Sequence, residues 1–277
     1  MRNLFLADEG CYLCQRDLSG ADGFTVAAYA AMFGDRTMLE DYLAKLKPAQ
    51  IVVLMLDRGS NVNNISRDEL RPLCKPITEE ADWRYFGMKR VQHGSSYQMG
   101  RNTTSDQILT DSFKKDGTPI YIAPTECERI QQHCFFVRYP GIKSWHTWME
   151  AEIREKGVLV ASNGFQRRFY GRKDDKMTIR QALAHLPQVY TTYATTLALL
   201  RLWTDPTNRR DDGSLRVEPL HTVHDSLLTQ WRQVDTDYAK ERMVAWFDNP
   251  IRIANETITI PASGTYGPNW KEQPHTL

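Results

Sequence analysis

The chemistry this sequence offers rests on two aspartates and one lysine. Asp17 closes a loosely alternating run and is followed by Leu18-Ser19-Gly20. Asp225 lies in Thr222-Val223-His224-Asp225-Ser226-Leu227-Leu228, with a polar run before it and an apolar one after it. Both patterns read as a strand that hands a carboxylate to a turn. An aspartate in a turn is most often turn chemistry and nothing more, so neither stretch means much alone. Some two hundred residues separate them, and only a sheet can bring them together. Two carboxylates at adjacent strand ends suit Mg²⁺, which takes one or two carboxylates and completes its shell with water and substrate phosphates. Two such ions can flank an in-line displacement at phosphorus, one beside the attacking oxygen and one beside the leaving oxygen. The Leu18 carbonyl is a further candidate ligand. Phosphoryl transfer also needs cations on the phosphates before reaction begins. Lys89 is the candidate, with Arg90 or Arg84 to assist.

Lys89, His93 and Tyr97 stand at i, i+4 and i+8 in a helical segment, so they share one helix face. Gly94 lies on the neighbouring side. A glycine inside a helix costs roughly 1 kcal/mol relative to alanine, and it is tolerated where something must approach the backbone closely. Taken alone, the plainer reading is a half-buried amphipathic helix with an incidental glycine.

The elements that must position these residues follow from periodicity and turn signals. Residues 4–6 and 11–16 read as a hairpin around Asp8-Glu9-Gly10, and a helix starts near Asp22 and closes at Gly34-Asp35. Residues 37–86 read as helical, with an apolar run at 51–56 that is either a strand or a buried helix. A helical pair over 126–156 breaks at Pro140-Gly141. Val158–Val160 and residues 165–170 form a hairpin whose end carries Arg167, Arg168, Arg172 and Lys173. Such a cluster is most often a solvated face, and it also suits backbone phosphates. Thr178-Ile179-Arg180-Gln181 has capping-box spacing and opens a long helix interrupted by Pro187. Residues 217–231 form the hairpin of Asp225. A helix over 238–248 precedes strands at 251–254 and 257–260, and the tail from Ser263 reads as irregular.

Composition bounds the rest. The 277 residues are 41% hydrophobic and 25% charged, enough for a sizeable core. A net charge of +1 excludes a uniformly basic nucleic-acid binder but not an acidic centre beside a basic track. No apolar run is long enough to span a bilayer, and the N-terminus does not read as a signal peptide. Five cysteines, an odd number, fit free thiols in a reducing compartment. Cys11-x-x-Cys14 lacks a second pair with metal spacing, so both read as ordinary strand residues.

Taken in order, the three stretches resemble motifs A, B and C of family A DNA polymerases, the family of bacterial DNA polymerase I and many phage replicases. Motif A, Asp-x-Ser-x-x-Glu, resembles Asp17-Leu18-Ser19-Gly20-Ala21-Asp22, with a carboxylate one methylene shorter at the end. Motif B, Lys-x-x-x-(Phe/Tyr)-Gly-x-x-Tyr-Gly, aligns with Lys89, His93, Gly94 and Tyr97, with Gln98 at the second glycine and Tyr85 where an arginine is usual. Motif C, His-Asp-Glu, aligns with His224 and Asp225, with Ser226 in place of Glu. Arg-x-x-x-Asn-x-x-x-Gln aligns with Arg180 and Gln188, with Ala184 in place of Asn.

The resemblance implies an α+β fold: a right-hand polymerase palm, an antiparallel sheet with helices, and a mostly helical fingers insertion, with thumb and exonuclease absent. Palm would cover residues 1–36 and 161–277, and fingers 37–160. It implies a DNA-directed DNA polymerase of phage replication that adds deoxynucleotides to a primer 3′ end. Asp17 and Asp225 would be catalytic and hold two Mg²⁺ ions with the Leu18 carbonyl. Asp22, Lys89, His93 and Tyr97 would bind the nucleotide, and Arg180, Gln188 and His224 the DNA. The partners are primer–template DNA, dNTPs and a separate chain supplying thumb or exonuclease, with no membrane, in the cytoplasm of a bacterial host. Two rivals stand beside it. Ser226 is also the residue of single-subunit RNA polymerases, whereas Asp22 speaks for DNA. A non-catalytic nucleic-acid-binding remnant, or a subunit of a split polymerase, is the other.

Overall fold

The computed structural model describes residues 2–78 and 81–277. In chain order its elements are strand β1 (Cys11–Leu18) and helices α1 (Ala21–Ala31), α2 (Thr37–Leu43), α3 (Pro48–Arg58), α4 (Arg67–Cys74), α5 (Trp83–Ser96), α6 (Arg101–Asp116) and α7 (Pro124–Ile130). A π-helical turn, Gln131–Phe135, leads into α8 (Phe136–Arg138) and α9 (Gly141–Lys156). Then come β2 (Val158–Val160), β3 (Gln166–Arg168), α10 (Lys176–Thr204), β4 (Val217–Val223), β5 (Ser226–Arg232), α11 (Thr236–Phe247), β6 (Pro250–Ile253), β7 (Glu256–Thr259), β8 (Ala262–Gly267) and β9 (His275–Thr276). The chain forms two compact units, one of residues 1–22 and 187–277, the other of residues 23–186.

The first unit is built on an antiparallel sheet in the order β4-β5-β1-β8-β9. Its middle strand, β1, pairs on one side with β5, from Cys11 opposite Arg232 to Asp17 opposite Ser226. On the other side it pairs with β8, from Leu13 opposite Gly267 to Leu18 opposite Ala262. Side chains of a strand alternate between faces. Cys14, Arg16 and Leu18 are buried on one face of β1, and the Arg16 guanidinium lies 5.2 Å from the Phe247 ring of α11. Gln15 and Asp17 are half-buried on the opposite face. β5 is buried on both faces from Ser226 to Trp231, which makes it the most deeply held strand of the sheet. β6 and β7 form a separate hairpin.

The second unit is mainly helical. Its centre is the buried run of α3, where Ile51, Val52 and Val53 are almost fully enclosed, so the apolar run at 51–56 is a buried helix. Asp41 is fully buried, but both of its carboxylate oxygens are satisfied. It accepts from Arg138 at 2.9 Å, from Arg67 at 3.0 Å and from the Tyr139 hydroxyl at 3.0 Å. A buried carboxylate stripped of such partners would cost several kcal/mol.

Several sequence expectations differ from the structure, among them the break at Pro187, since α10 runs unbroken through it. Residues 4–6 do not form a hairpin with β1. Arg2–Leu4 is a 3₁₀ turn, and Leu6 makes a single bridge to Asn269. Thr178 is not the cap of α10. The Asp175 carboxylate accepts from the amides of Met177 and Thr178 at 3.1 and 3.2 Å, while Thr178 itself is buried. The tail from Ser263 is not irregular, because residues 262–267 are β8.

Candidate active site

Asp17 and Asp225 reach neighbouring positions through the sheet. Asp17 ends β1 opposite Ser226, and the next amide, Leu18 N–H, donates to the Asp225 carbonyl at 3.0 Å. Asp225 is the second residue of the two-residue turn between Val223 and Ser226. The first, His224, has φ 53°, a left-handed conformation that costs a non-glycine residue on the order of 1 kcal/mol. Histidine is among the residues that accept it best.

The electrostatics of the pair follow from burial. Partial burial holds the Asp225 carboxyl above the ordinary carboxylate range, a backbone hydrogen bond opposes this, and the charges of Asp17 and Asp22 add to the rise. His224 pulls weakly the other way. Asp17 accepts a 2.7 Å hydrogen bond from Gln15 Nε2. Asp22, in the first turn of α1, accepts from Thr191 Oγ1 of α10 at 3.1 Å. Asp225 is thus close enough to feel the charges of both Asp17 and Asp22, and a divalent cation there would offset them. Among the described residues, no group of three or more His, Cys, Asp or Glu side chains forms a cation cage.

Ser226, at the glutamate position of motif C, is buried and turned inward. Its hydroxyl donates to the Val223 carbonyl at 2.9 Å and closes its own hairpin. Its identity is accounted for by the turn.

In the second unit, α5 carries the motif B residues. Lys89 and His93 are exposed and Tyr97 is buried. The Lys89 ammonium lies 5.7 Å from the Tyr85 ring, and the His93 and Tyr97 rings meet edge to face at 4.7 Å. The helix ends at Ser96, so Tyr97 caps it and does not continue it. Gly94 faces the chain's own packing. A Cβ there would lie 3.1 Å from Thr104 Oγ1 and 3.3 Å from Met99 Cβ. Gln98, at the second glycine of the motif, has φ 54°. Its side chain donates to Glu150 at 3.0 Å and its carbonyl accepts from Arg180 Nε at 3.2 Å, two bonds that hold the left-handed backbone. Arg84 is engaged by Asp82 at 2.7 Å and by Asp57, and Arg90 by Asp111 at 2.7 Å, so both assisting cations are spent inside the unit.

Arg180 and Gln188 are exposed on α10, and His224 is exposed at the hairpin tip. Of the basic cluster, Arg172 pairs with Asp174 at 3.0 Å and Lys173 donates to the Glu155 carbonyl at 3.1 Å.

Sequence reasoning passed over Gln15, Thr191 and Trp270. Gln15 had a signal, since it stands two residues before Asp17 on a strand and therefore shares its face. Thr191 and Trp270 had none, because only the tertiary fold brings them to the carboxylates.

The structure resembles the POL domain of Pol1 from M. smegmatis, solved in complex with a DNA primer-template and dNTP. The match has a TM-score of 0.71 at 18% identity and covers 99% of this chain and 42% of that chain. The fold is that of a polymerase domain. An antiparallel palm sheet carries the two aspartates, and a mostly helical insertion carries the motif B residues. The chain thus spans less than half the length of this polymerase neighbour. No family model and no curated protein matches the sequence.

Proposed function

We propose that this chain is a template-directed DNA polymerase of the family A type. It would add deoxynucleotides to a primer 3′ end by two-metal phosphoryl transfer in phage replication. The observation that carries this reading is the meeting of Asp17 and Asp225. Residues from opposite ends of the chain come to adjacent strand ends, joined by the Leu18–Asp225 hydrogen bond, within a polymerase fold.

The donor set fits Mg²⁺. Two carboxylate side chains and the Leu18 carbonyl are hard oxygen donors of the kind Mg²⁺ uses, and substrate phosphates complete such a shell. When bound, the metal supplies Lewis acidity toward the attacking and leaving oxygens. Asp17 and Asp225 would hold it in place. Lys89 neutralises triphosphate charge, His93 packs beside the incoming sugar, and Tyr97 supports the templating base. Asp22, fixed by Thr191, guards the space at the sugar 2′ position. Arg180, Gln188 and His224 contact DNA, which needs positive charge and hydrogen-bond donors at the phosphates and no base readout. The reading implies primer–template DNA and dNTPs as partners and a bacterial host cytoplasm as the setting.

The test is extension of a labelled primer–template by one nucleotide, with Mg²⁺ and with Mn²⁺. The parent protein should extend with dNTPs, and Asp17→Asn and Asp225→Asn should not. Binding of the duplex with no extension under either metal would replace this reading with a non-catalytic nucleic-acid-binding one. Preferential use of rNTPs would replace it with an RNA polymerase.

A further inference from the structure

A short hydrogen-bond chain on the Gln15–Asp17 face of β1 ends on Asp17. The indole Nε1 of Trp270 donates to Gln15 Oε1, and Gln15 Nε2 donates to Asp17 Oδ1 at 2.7 Å. Nε2 also lies 3.4 Å from Ser226 Oγ, whose own proton goes to the Val223 carbonyl. An indole N–H can only donate, so it must meet the oxygen of the amide. The nitrogen of the amide is thereby turned toward Asp17. The opposite flip would set N–H against NH₂ and a carbonyl oxygen against a carboxylate. Trp270 is itself held in place. Its ring meets Phe5 edge-on at 5.3 Å and lies under the Arg2 guanidinium at 5.0 Å, and its amide donates to the Phe5 carbonyl at 3.0 Å.

We propose that Gln15 is a positioning residue for Asp17, and that Trp270 fixes the direction in which it acts. The inference rests on the reading of Asp17 as a metal ligand. By donating to Oδ1, Gln15 sets the rotation of the carboxylate and leaves Oδ2 as the oxygen presented to a cation. Hydrogen-bond partners of this kind orient metal ligands, and their loss typically costs 10–100-fold in metal affinity or activity. The neutral amide does this without adding charge to a site that already holds three carboxylates.

The experiment compares Gln15→Met, Trp270→Phe and the double variant. Gln15→Met keeps length and volume and removes the donor. Two readouts are taken: Mn²⁺ binding to the protein, followed by the signal of free Mn²⁺ in electron paramagnetic resonance, and the Mg²⁺ concentration that half-saturates single-nucleotide extension. Gln15→Met should weaken Mn²⁺ binding and raise the Mg²⁺ requirement by about 10–100-fold, with the rate at saturating Mg²⁺ much less affected. Trp270→Phe should move both in the same direction by less. The double variant should be no worse than Gln15→Met, since the two residues act in series. Unchanged metal dependence in Gln15→Met overturns the proposal, as does additivity in the double variant. If Gln15→Met does not fold, Trp270→Phe decides alone by the same criterion. Asp17→Asn separates the two levels. If it retains Mn²⁺ binding and extension, the polymerase reading fails. If it loses both while Gln15→Met changes neither, only the role of Gln15 fails.

Discussion

The amide of Leu18 donates to the carbonyl of Asp225 at 3.0 Å. The residue after the first aspartate is therefore bonded to the backbone of the second, and neither strand end can shift without the other. The first prediction uses this coupling. Asp17→Asn and Asp225→Asn should each lower extension by more than on the order of a thousandfold, the scale of several kcal/mol of metal-dependent stabilisation. Folding should survive. The Asp225 carboxyl is raised by burial and by like charges, so the fold favours its protonated form. Stability from this group is greatest at low pH and is lost as pH rises through the raised range. Asn removes that loss, and Asp225→Asn should melt no lower than the parent at pH 7 without divalent metal. A clear drop in melting temperature would mean that Asp225 is a structural residue.

A second prediction concerns sugar choice. Asp22 is half-buried and tied to Thr191 at 3.1 Å. Asp22→Ala should raise the ratio of ribonucleotide to deoxyribonucleotide incorporation by at least about tenfold, because a polar group built against one substrate discriminates strongly. Thr191→Val, which only frees the carboxylate, should change the ratio less. Single-nucleotide extension with each sugar measures it, and an unchanged ratio removes Asp22 from the gate.

The third concerns DNA. Duplex affinity should fall linearly on a logarithmic salt scale, with a slope of about −0.9 per phosphate contact. Arg180→Ala should weaken all sequences alike and reduce the slope by about one. Fluorescence anisotropy at several salt concentrations tests this. Sequence-dependent weakening would show that Arg180 reads bases.

The fourth concerns acid stability. Asp205 is buried, which by itself raises its carboxyl, but hydrogen bonds from Thr207, Trp246 and Arg242 outweigh this and hold it down at about 2. A depressed carboxyl contributes stability above its unfolded value, and that stability is lost as pH falls toward the folded value. Asp205→Asn should therefore cost about 2 kcal/mol at pH 7 and less near pH 2, read from denaturant midpoints. An equal cost at both pH values would exclude the ionic contribution.

Much of the candidate site could be named from the sequence because its signals are local. The alternation before Asp17, the polar-to-apolar switch around Asp225 and the spacing of Lys89, His93 and Tyr97 each lie within a dozen residues. What was not legible depends on distant neighbours. Gly264 and Gly267 belong to the tail that reads as irregular, yet both lie in β8, at points where other residues approach the backbone closely. A Cβ at Gly264 would lie 2.4 Å from Leu277 Cδ1 and 3.1 Å from the Gln15 carbonyl, and one at Gly267 would lie 2.3 Å from the Glu272 carbonyl. Residues 4–6 alternate like a strand, but the partner available to Leu6 is Asn269. Arg84 and Arg90 looked like spare cations until Asp57, Asp82 and Asp111 were found beside them.

The place of β1 at the middle of the sheet has a consequence for how the chain is made. β1 leaves the ribosome some two hundred residues ahead of β5 and β8, its two hydrogen-bonding neighbours. At about 5–20 residues per second, it waits on the order of ten seconds or more with both edges open. Residues 23–186, which form a compact unit of their own, are complete well before that wait ends. A lone strand with two free edges invites pairing with other chains. β1 carries a guard against this in Arg16, a charge in the middle of the strand that resists stacking with copies of itself. The same guanidinium later lies over Phe247 and donates to the Ala262 carbonyl at 3.2 Å, so the charge that protects the nascent strand is buried only once its last partners have arrived.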